Sequence, residues 1–442
     1  MNSNKIHLGF DDIDSPTGGC TTHFASIVVQ YLEGKHVKWL DYPNLIRLNP
    51  GIPFRTRGNG AVALRFKASA ELIDDLIKFL EANIHDYVDE KYPNTNPGTV
   101  IVTDTIPEAI KQFSKQALWK TIPIEFTKRL ILKLGVRHYT SGNGRGLVGA
   151  LAAIGNTLQG DYTYEYIAYR SLSETSSPRG VDKESVIEMD RIMGDRVFSN
   201  LDSDRSIIDP HGPDPVLYGI RGESASDVIE ASKYIISKQN MQRWMVFRSN
   251  QGTAEHLTHL VSIKDLRPYM AARVKGTVAS RPRMIEGGHM IFSISDETSA
   301  VDCAAYEPTH DLRKIVAELR KGDEIYLHAS VRPKARTHPQ TLNIEGLEIL
   351  RLTQIMSKLN PVCPHCLKRM KSAGKDKGYK CVSCGFKDPD AKKIESEIVR
   401  DLKEGLYLPP PSAQRHLTRP YSRQRKHNEG IPKKLLSQWH YP

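Results

Sequence analysis

Three carboxylates, Asp11, Asp12 and Asp14, lie within four residues of one another near the start of the chain. They follow an alternating apolar run at residues 6–10, which is typical of a strand, and precede apolar residues spaced three and four apart at 24–32, which are typical of a helix. Carboxylates are ligands that Mg²⁺ uses, and the free amides and hydroxyls of a helix start suit phosphate oxygens. The segment therefore predicts a magnesium and phosphate site. Its proposed magnesium ligands are Asp11, Asp12 and Asp14, and its proposed phosphate-binding residues are Gly18, Gly19, Thr21 and Thr22.

An ordinary capped turn is the alternative interpretation of the same segment. Acidic residues and glycine are common in turns, and Thr before a helix usually serves as a cap. The turn is not a Walker P-loop, because no Gly-Lys-Ser/Thr sequence occurs in it. From this segment alone, both interpretations remain open.

Two Cys-x-x-Cys pairs form the most specific motif. Cys363 and Cys366 are separated by 14 residues from Cys381 and Cys384. Four thiolates in tetrahedral geometry are the usual environment of structural Zn²⁺ and leave no open position for chemistry. The basic side chains between the pairs suit contact with a nucleic-acid phosphate backbone; they are Lys368, Arg369, Lys371, Lys375 and Lys377.

The positive charge of the chain is confined to its last fifth. The net charge of the 442 residues is +11; residues 351–442 hold 20 Lys and Arg against 8 Asp and Glu, which leaves 42 against 43 in residues 1–350. A confined basic excess is the electrostatic signature of nucleic-acid binding. No apolar run is long enough to cross a membrane, and six cysteines are too few for a secreted disulfide scaffold of this size. The chain also goes directly into a strand without a signal-peptide core, so we expect a cytoplasmic protein.

The elements that must position these residues suggest several domains. Residues 1–125 alternate strands and helices, which indicates an α/β or α+β layer of ferredoxin-like type. Helices are predicted near 107–119, 126–136 and 147–158, a partly irregular stretch over 170–209, and a strand–helix–strand unit over 215–247. Three short strands, a helix and two more strands then follow over 272–345, the order of an OB-fold barrel, a fold that often binds single-stranded nucleic acid.

The basic, aromatic-containing tail from about residue 409 has two open interpretations. It is either a disordered basic tail or a segment that stacks on bases or docks. We divide the chain into a catalytic region at 1–265, an OB-fold at 270–355, a zinc ribbon at 358–392 and a basic C-terminal extension at 393–442.

The motifs together resemble one enzyme family. Beyond the acidic turn and the Cys pairs, they lie at residues 45–50, 55–62, 95–98, 144–153, 215–224, 286–289, 306–309 and 410–417. The chain is identified by them as a member of the archaeal tRNA(Ile) 2-agmatinylcytidine synthetases. It departs from the family at Ile13, where the family pattern is Asp-Asp-Thr-Asp; this removes a hydroxyl but keeps the carboxylates.

The resemblance implies an ATP-dependent ligase that joins agmatine to the wobble cytidine of the isoleucine tRNA with a CAU anticodon. It implies a kinase-like domain interleaved with a ferredoxin-like domain, followed by the OB-fold and the zinc ribbon, with ATP, Mg²⁺ and Zn²⁺ as cofactors. It also implies that Thr21 is a phosphate acceptor. The alternatives are a single-stranded nucleic-acid-binding protein and a generic nucleotide kinase or NTPase.

Further site residues are predicted with this function. Arg57 and Arg221 are candidate phosphate clamps, because guanidinium groups match phosphate oxygens in pairs; the alternative for Arg57 is a structural salt bridge. Glu223 either binds the ATP site or caps the following helix. Asn59 is assigned to the ATP site, Arg415 and His416 to RNA, and Asp161, Tyr162 and Glu165 to agmatine.

Overall fold

A computed structural model describes residues 4–14, 19–55, 58–88, 95–175, 177–432 and 434–442. The first part of the chain forms strands and helices that share one large sheet. Its strands are β1 (Asn4–Asp11), β2 (Lys38–Trp39), β3 (Asn44–Arg47), β4 (Gly60–Ala68), β5 (Gly98–Thr103), β6 (Arg137–Thr140), β7 (Thr163–Tyr169), β8 (Val197–Phe198), β9 (Leu201–Asp202), β10 (Arg205–Ser206), β11 (Val216–Gly222) and β12 (Arg243–Ser249). Its helices are α1 (Thr21–Glu33), α2 (Glu71–Tyr87), α3 (Glu108–Ala117), α4 (Ile124–Leu134), α5 (Gly146–Gly155), α6 (Lys183–Met193) and α7 (Ala225–Ser232).

The sheet has eleven strands, and its main path runs β6-β5-β1-β4-β3-β12-β7-β11-β8. Within this path β3 and β12 are parallel, and they join the strands before residue 70 to those after residue 160. The first two residues of β3 pair with the carboxyl end of β12, so Arg47 at the end of β3 lies beside Asn250, which follows β12, and reaches Glu165 of β7. This mixed α/β layer confirms the coarse architecture expected for the first 250 residues.

Two elements differ from the sequence-based expectation. The stretch 170–209, expected to be irregular, contains α6, whose buried face is formed by Val186, Met189 and Met193. Asp182 caps this helix by accepting a hydrogen bond from the Ser185 amide. The strand β7 was not predicted; all seven of its residues are buried, so no polar face marks it as a strand.

A second domain is a closed five-stranded barrel with its own apolar core. Its elements are β13 (Ala271–Val278), β14 (Arg283–Ile285), β15 (His289–Ser295), β16 (Ala300–Ala305), α8 (Asp311–Glu318), β17 (Glu324–Arg332) and β18 (Thr341–Arg351). Pairing runs β13-β15-β16-β18-β17 and returns to β13, which closes the barrel, while β14 extends from β15. The helix lies between the third and fourth barrel strands, as predicted.

The last part of the chain is made of short strands. They are β19 (Met356–Leu359), β20 (Lys371–Ser372), β21 (Tyr379–Lys380), β22 (Lys387–Asp388), β23 (Ile394–Glu397), β24 (Gly405–Tyr407) and β25 (His440–Tyr441). The strand β24 pairs with the barrel, and β25 pairs with β12 of the large sheet. Over the described residues, no helix has the length and apolar character needed to cross a membrane.

Candidate active site

The acidic turn lies where β1 ends against the first turn of α5. Gly149 of α5 faces the Asp11 carboxylate so closely that a Cβ there would overlap it, and a Cβ on Gly146 would meet the Asp11 carbonyl oxygen at 2.7 Å. Asp12 follows with a φ of 60°, in the left-handed region. The Gly-rich turn before α5 thus allows the helix to approach the end of β1, and this contact fixes the direction of the carboxylates.

Asp12 is held by a guanidinium from the start of α5. Arg145 donates to Oδ2 of Asp12 from Nε at 2.9 Å and to Oδ1 at 3.0 Å, and the Asn96 amide donates to Oδ2 at 3.1 Å. Burial raises the pKa of Asp12 to about 6, against the opposing effect of Arg145. Burial, with the neighbouring Asp12 charge, raises the pKa of Asp11 well above its ordinary value. A bound cation would favour the ionised form of both groups.

Asp14 points to the other side of the turn and holds the start of α1. Its Oδ1 accepts hydrogen bonds from the Thr21 amide at 2.5 Å and from the Thr21 hydroxyl at 2.9 Å. The Thr21 side chain is buried, and Thr22 lies beside it with its hydroxyl 3.1 Å from the Cys20 Sγ. The expected threonine cap is not formed: Cys20 is the N-cap residue without a side-chain capping bond, and the Asp14 carboxylate accepts from the Thr21 amide instead.

Two pockets open on opposite sides of the acidic turn. The first, which we call the apolar pocket, has a volume of about 280 Å³ and contains Asp11 and Asp12. Most of its other lining is aliphatic or aromatic, including Leu48, Ile52 and Val148. Asp11 and Asp12 share the pocket with Arg55, Lys120 and Arg145, and its apolar walls suit a ligand with a short hydrocarbon chain.

The second pocket, which we call the arginine pocket, has a volume of about 240 Å³. Its lining includes Asp14, Thr21, Thr22, Arg47, Glu165, Arg221 and His416. Glu165 lies between the two arginines, 3.6 Å from an Arg47 nitrogen and 3.4 Å from the Arg221 Nε, and it also accepts from Gln251. Two guanidinium groups opposite a helix start make this pocket suited to phosphate groups.

His416 belongs to the arginine pocket, although the sequence assigned it to RNA. Its Nδ1 lies 3.2 Å from an Arg221 nitrogen, and a Cβ on Gly58 would overlap its ring. Burial and four neighbouring arginines hold the pKa of His416 well below its ordinary value, so the ring is neutral and Nδ1 accepts from Arg221. The adjacent Arg415 is exposed and pairs with Glu345 of the barrel at 3.5 Å.

The other predicted site residues are distributed around the pockets. Asn59 lines the apolar pocket, and its side-chain amide donates to the Asn49 carbonyl. Glu223 neither lines these pockets nor caps α7; it accepts from the Arg423 Nε at 2.8 Å, and Ser224 is the cap. Gly18 and Arg57 lie outside the described residues.

Of the three residues assigned to agmatine, Glu165 reaches one of these two pockets and the other two do not. Glu165 lines the arginine pocket, whereas Asp161 pairs with Arg419 and with Arg423, the latter at 3.0 Å. Tyr162 lies under the Arg248 guanidinium, 4.7 Å from it. Asp161 and Tyr162 therefore contribute to the packing of the C-terminal extension.

Sequence reasoning missed Arg47 and Arg145. Arg145 lies in the Gly-rich turn that is recognisable as a helix start, so its position was available as a signal. Arg47 ends a short strand and reaches the site only because β3 lies parallel to β12. No local pattern in the sequence marks such a long-range neighbour.

The four cysteines come together as predicted. Their Sγ atoms all lie within 4.8 Å of one another, which fits one tetrahedral ion. Within the described ranges, no other group of three or more potential ligands brings its donor atoms together in this way. The three aspartates of the acidic turn consequently form no closed cage: two face the apolar pocket and the third faces the arginine pocket.

The basic side chains of the zinc ribbon are on its surface. Lys368, Arg369, Lys371, Lys375 and Lys377 are all exposed, and the side-chain nitrogens of the first two also donate to Ser383 and to the Asn360 carbonyl. This surface is available to a polyanion.

Family models match three parts of the chain. They are the TiaS TCKD domain at residues 7–71, the TiaS FLD domain at 144–256 and the TiaS C-terminal zinc ribbon domain at 360–402. A Staphylothermus marinus protein, named as the 2-agmatinylcytidine synthetase TiaS of an isoleucine tRNA, is 42% identical over 98% of this chain and 97% of its own. A crystal structure of apo TiaS matches with a TM-score of 0.86 and 35% identity, covering 95% of this chain and 98% of that one. The structure of a complex of TiaS with its isoleucine tRNA, AMPCPP and agmatine matches with a TM-score of 0.82 and 33% identity, over 95% and 98% of the two chains.

Proposed function

The chain belongs to the family of tRNA(Ile) 2-agmatinylcytidine synthetases, and on that premise we propose that it is an ATP-dependent ligase joining agmatine to carbon 2 of the wobble cytidine of isoleucine tRNA. Full-length similarity to relatives of that name carries the proposal. The two pockets on either side of the acidic turn give the reaction a place for phosphate and a place for an aliphatic amine. The enzyme acts on tRNA in the cytoplasm.

The chemistry needs two displacements. The oxygen on carbon 2 of cytosine is a poor leaving group, so the γ-phosphoryl group of ATP is first transferred to it; a phosphoanhydride bond breaks, an O–P bond forms and ADP leaves. The primary amine of agmatine then forms a bond to carbon 2, phosphate departs with the original oxygen, and the amine loses a proton. The wobble base must leave its stack to reach the site, at a cost of a few kcal/mol.

The arginine pocket holds the phosphates of ATP. Arg47 and Arg221 face the α1 start, where Thr21 and Thr22 present hydroxyl groups. Neutral His416 accepts a hydrogen bond from Arg221 and so directs the guanidinium without adding charge. This positioning and charge neutralisation are what phosphoryl transfer requires. Gly18, Gly19 and Arg57 are assigned to the same phosphates from the sequence pattern.

Carboxylates of the acidic turn would hold Mg²⁺ together with ATP oxygens. Mg²⁺ typically uses one or two protein carboxylates and completes its shell with phosphate and water, so a closed cage of three aspartates is not needed. Asp11 and Asp12 fit this role because burial disfavours their charge until a cation is present. The ion would neutralise the negative charge of the transferred phosphoryl group.

The apolar pocket holds agmatine. Its aliphatic lining suits the four-carbon chain of agmatine. Thr21 is a phosphate acceptor of the same centre, since its hydroxyl already donates to Asp14, the arrangement by which a kinase carboxylate receives a hydroxyl proton.

The fold is divided accordingly. A kinase-like domain is interleaved with a ferredoxin-like domain in residues 1–265, and the matched segments 7–71 and 144–256 contribute strands to one sheet, which supports this division. The OB-fold at 270–355, the zinc ribbon at 358–392 and the extension at 393–442 present the tRNA.

The decisive experiment incubates the zinc-loaded protein with ATP, labelled agmatine and an isoleucine tRNA transcript bearing CAU. Label should enter that tRNA and not a methionine tRNA with the same anticodon. Asp12→Asn should lower kcat at least about 100-fold, in line with the loss of a group that stabilises the transition state. Absence of label with folded protein would overturn the function, and full activity of Asp12→Asn would overturn the assignment of Asp12.

Two matched pairs test the pockets. Val148→Trp fills the apolar pocket and should raise the KM for agmatine but not for ATP, whereas Arg47→Gln should do the reverse. Thr21→Val should abolish phosphate incorporation into the protein, measured by mass spectrometry, while Thr22→Val should retain it. An equal effect within either pair would contradict the corresponding assignment.

A further inference from the structure

A buried arginine joins the two elements that form the acidic site, at a distance from the site itself. Arg65 of β4 is 5% exposed, and its guanidinium carries five polar contacts. One amino group donates to the carbonyl oxygens of Ala153, Ile154 and Asn156, at 3.1, 3.0 and 2.9 Å. These carbonyls belong to the last turn of α5, where backbone oxygens have no partner inside the helix.

The same guanidinium also contacts β1. Its second amino group lies 3.1 Å from the Nδ1 of His7, four residues before Asp11, and its Nε donates to Asn44 at 2.7 Å. Four residues of strand span about 13 Å. Arg65 therefore joins the C-terminal end of α5, opposite to Arg145, to the middle of β1, four residues before Asp11.

A second buried arginine extends this contact. Arg248, fully buried, donates to the carbonyls of Thr157 and Leu158 and to the Asp41 carboxylate at 2.6 Å. Asp41 in turn accepts from the side chain of Asn44, which binds Arg65. The two arginines thus hold the backbone from residue 153 to 158. Burial lowers the pKa of Arg65 to about 10, which leaves it charged at neutral pH, as a helix C-terminus favours.

We propose that Arg65 is a positioning residue for the reaction: by fixing the C-terminal end of α5 against the middle of β1, it sets where Arg145 and Gly149 hold Asp11 and Asp12. The opposite end of α5 has no room for adjustment, because a Cβ on Gly149 or on Gly9 would overlap its neighbour across the same interface. A shift of α5 along β1 is therefore transmitted directly to the carboxylates. This inference rests on the proposed function of the acidic turn.

Arg65→Lys tests the inference, because lysine keeps the charge but cannot contact three carbonyls, an amide and an imidazole at once. We expect kcat for labelled agmatine transfer to fall about 100-fold, the size expected for a misplacement near 1 Å, while the KM for tRNA changes less than twofold. Amide hydrogen exchange at residues 144–150 should rise at least tenfold, although Arg65 itself does not touch them. His7→Phe, which removes only the β1 contact, should give a smaller change in the same direction.

Arg400→Lys is the matched control. Arg400 follows the zinc ribbon, and its largely buried side chain binds Asp323 of the barrel and the Thr353 carbonyl. The Arg400→Lys variant should have a lower Tm. Its amide hydrogen exchange at residues 144–150 and its kcat should each stay within twofold of the wild-type values. If Arg65→Lys retains kcat, or if its loss of kcat equals its unfolded fraction, the positioning role is wrong. If the wild-type enzyme transfers no agmatine, the proposed function fails instead, and exchange at residues 144–150 still tests the mechanical coupling.

Discussion

The zinc ribbon and the C-terminal extension are adjacent in sequence and equally basic, yet they use their charge in opposite ways. In the ribbon, lysines 371, 375 and 377 are exposed around a core of little more than Cys363, Met370 and Cys381. In the extension, Arg423 is fully buried and pairs with Asp161 and Glu223 of the large sheet region. The ribbon presents these cations to solvent, whereas the extension uses Arg423 as internal structure.

This difference follows from the side chains themselves. Lysine is a strongly hydrated point charge, whereas the planar guanidinium of arginine binds carboxylates and carbonyls in pairs and is more weakly hydrated. A count of positive residues does not distinguish the two uses. The burial and the pairing of each side chain distinguish the two uses. Substitutions confined to one region therefore test how that region uses its charge.

Removal of zinc should have the largest effect and should be confined to the ribbon. Metal binding supplies about 10–16 kcal/mol in small zinc domains, and the ribbon has too small an apolar core to replace it. Chelation should therefore abolish hydrogen-exchange protection over residues 360–390 and leave that of β1 and β4 unchanged. Loss of protection in the large sheet would contradict the independence of the two regions.

Arg423→Met should destabilise the large sheet region by about 1.5–3 kcal/mol, because Glu223 loses its arginine partner and Asp161 loses one of its two. Urea denaturation measures the change. Arg425→Met is the control: Arg425 is exposed, and its loss should change the free energy of unfolding by less than about 0.5 kcal/mol. Equal effects would mean that the arginines of the extension are not structural.

Replacing Lys371, Lys375 and Lys377 by Ser should weaken tRNA binding without lowering stability. The slope of log K against log salt concentration should decrease by about 1 for each phosphate that the variant no longer neutralises. The control replaces Lys35, Lys38 and Lys78, which are exposed on the large sheet region, and should leave the slope unchanged. An unchanged slope in the ribbon variant would refute the division of charge.

The smallest expected effect concerns His416. Its pKa in the folded protein lies below the unfolded value, so the stability it contributes is complete above pH 6.5 and is lost as the pH falls below that value. His416→Gln should reduce the acid-side slope of stability against pH by up to about 1.4 kcal/mol per pH unit. Parallel curves for the two proteins, measured by urea denaturation from pH 7 to 5, would contradict this.

Short sequence motifs predicted the features that residues close together in the chain form. The Cys spacing gave a cluster whose Sγ atoms meet, the order of strands around α8 gave the barrel, and Asp14 and Thr21 lie together at the start of α1 as their spacing suggests. Long-range pairing was not predictable from the same signals. It divides the three aspartates between two pockets, brings Arg47 to the site, and moves His416 from the expected RNA surface into the arginine pocket.

The tail from about residue 409 is a second case in which a long-range contact could not be predicted from the local sequence. Its aromatic residues left stacking on bases and docking as open interpretations, and the structure shows docking for Trp439. That ring lies 5.4 Å from the Trp39 ring in the core of the large sheet region, and β25 directly after it pairs with β12. Nothing near residue 439 in the sequence indicates which of many apolar surfaces it covers.

The docking of Trp439 sets an order of events during synthesis. The core beside Trp39 and Tyr42 lacks one of its largest side chains until residue 439 has been added to the chain. At roughly 5–20 residues per second, the first strands wait on the order of 20–80 s for that side chain. During that interval the nascent chain carries the acidic turn in a domain whose apolar core is incomplete beside Trp39 and Tyr42. The domain is therefore exposed to aggregation and proteolysis until residue 439 is added.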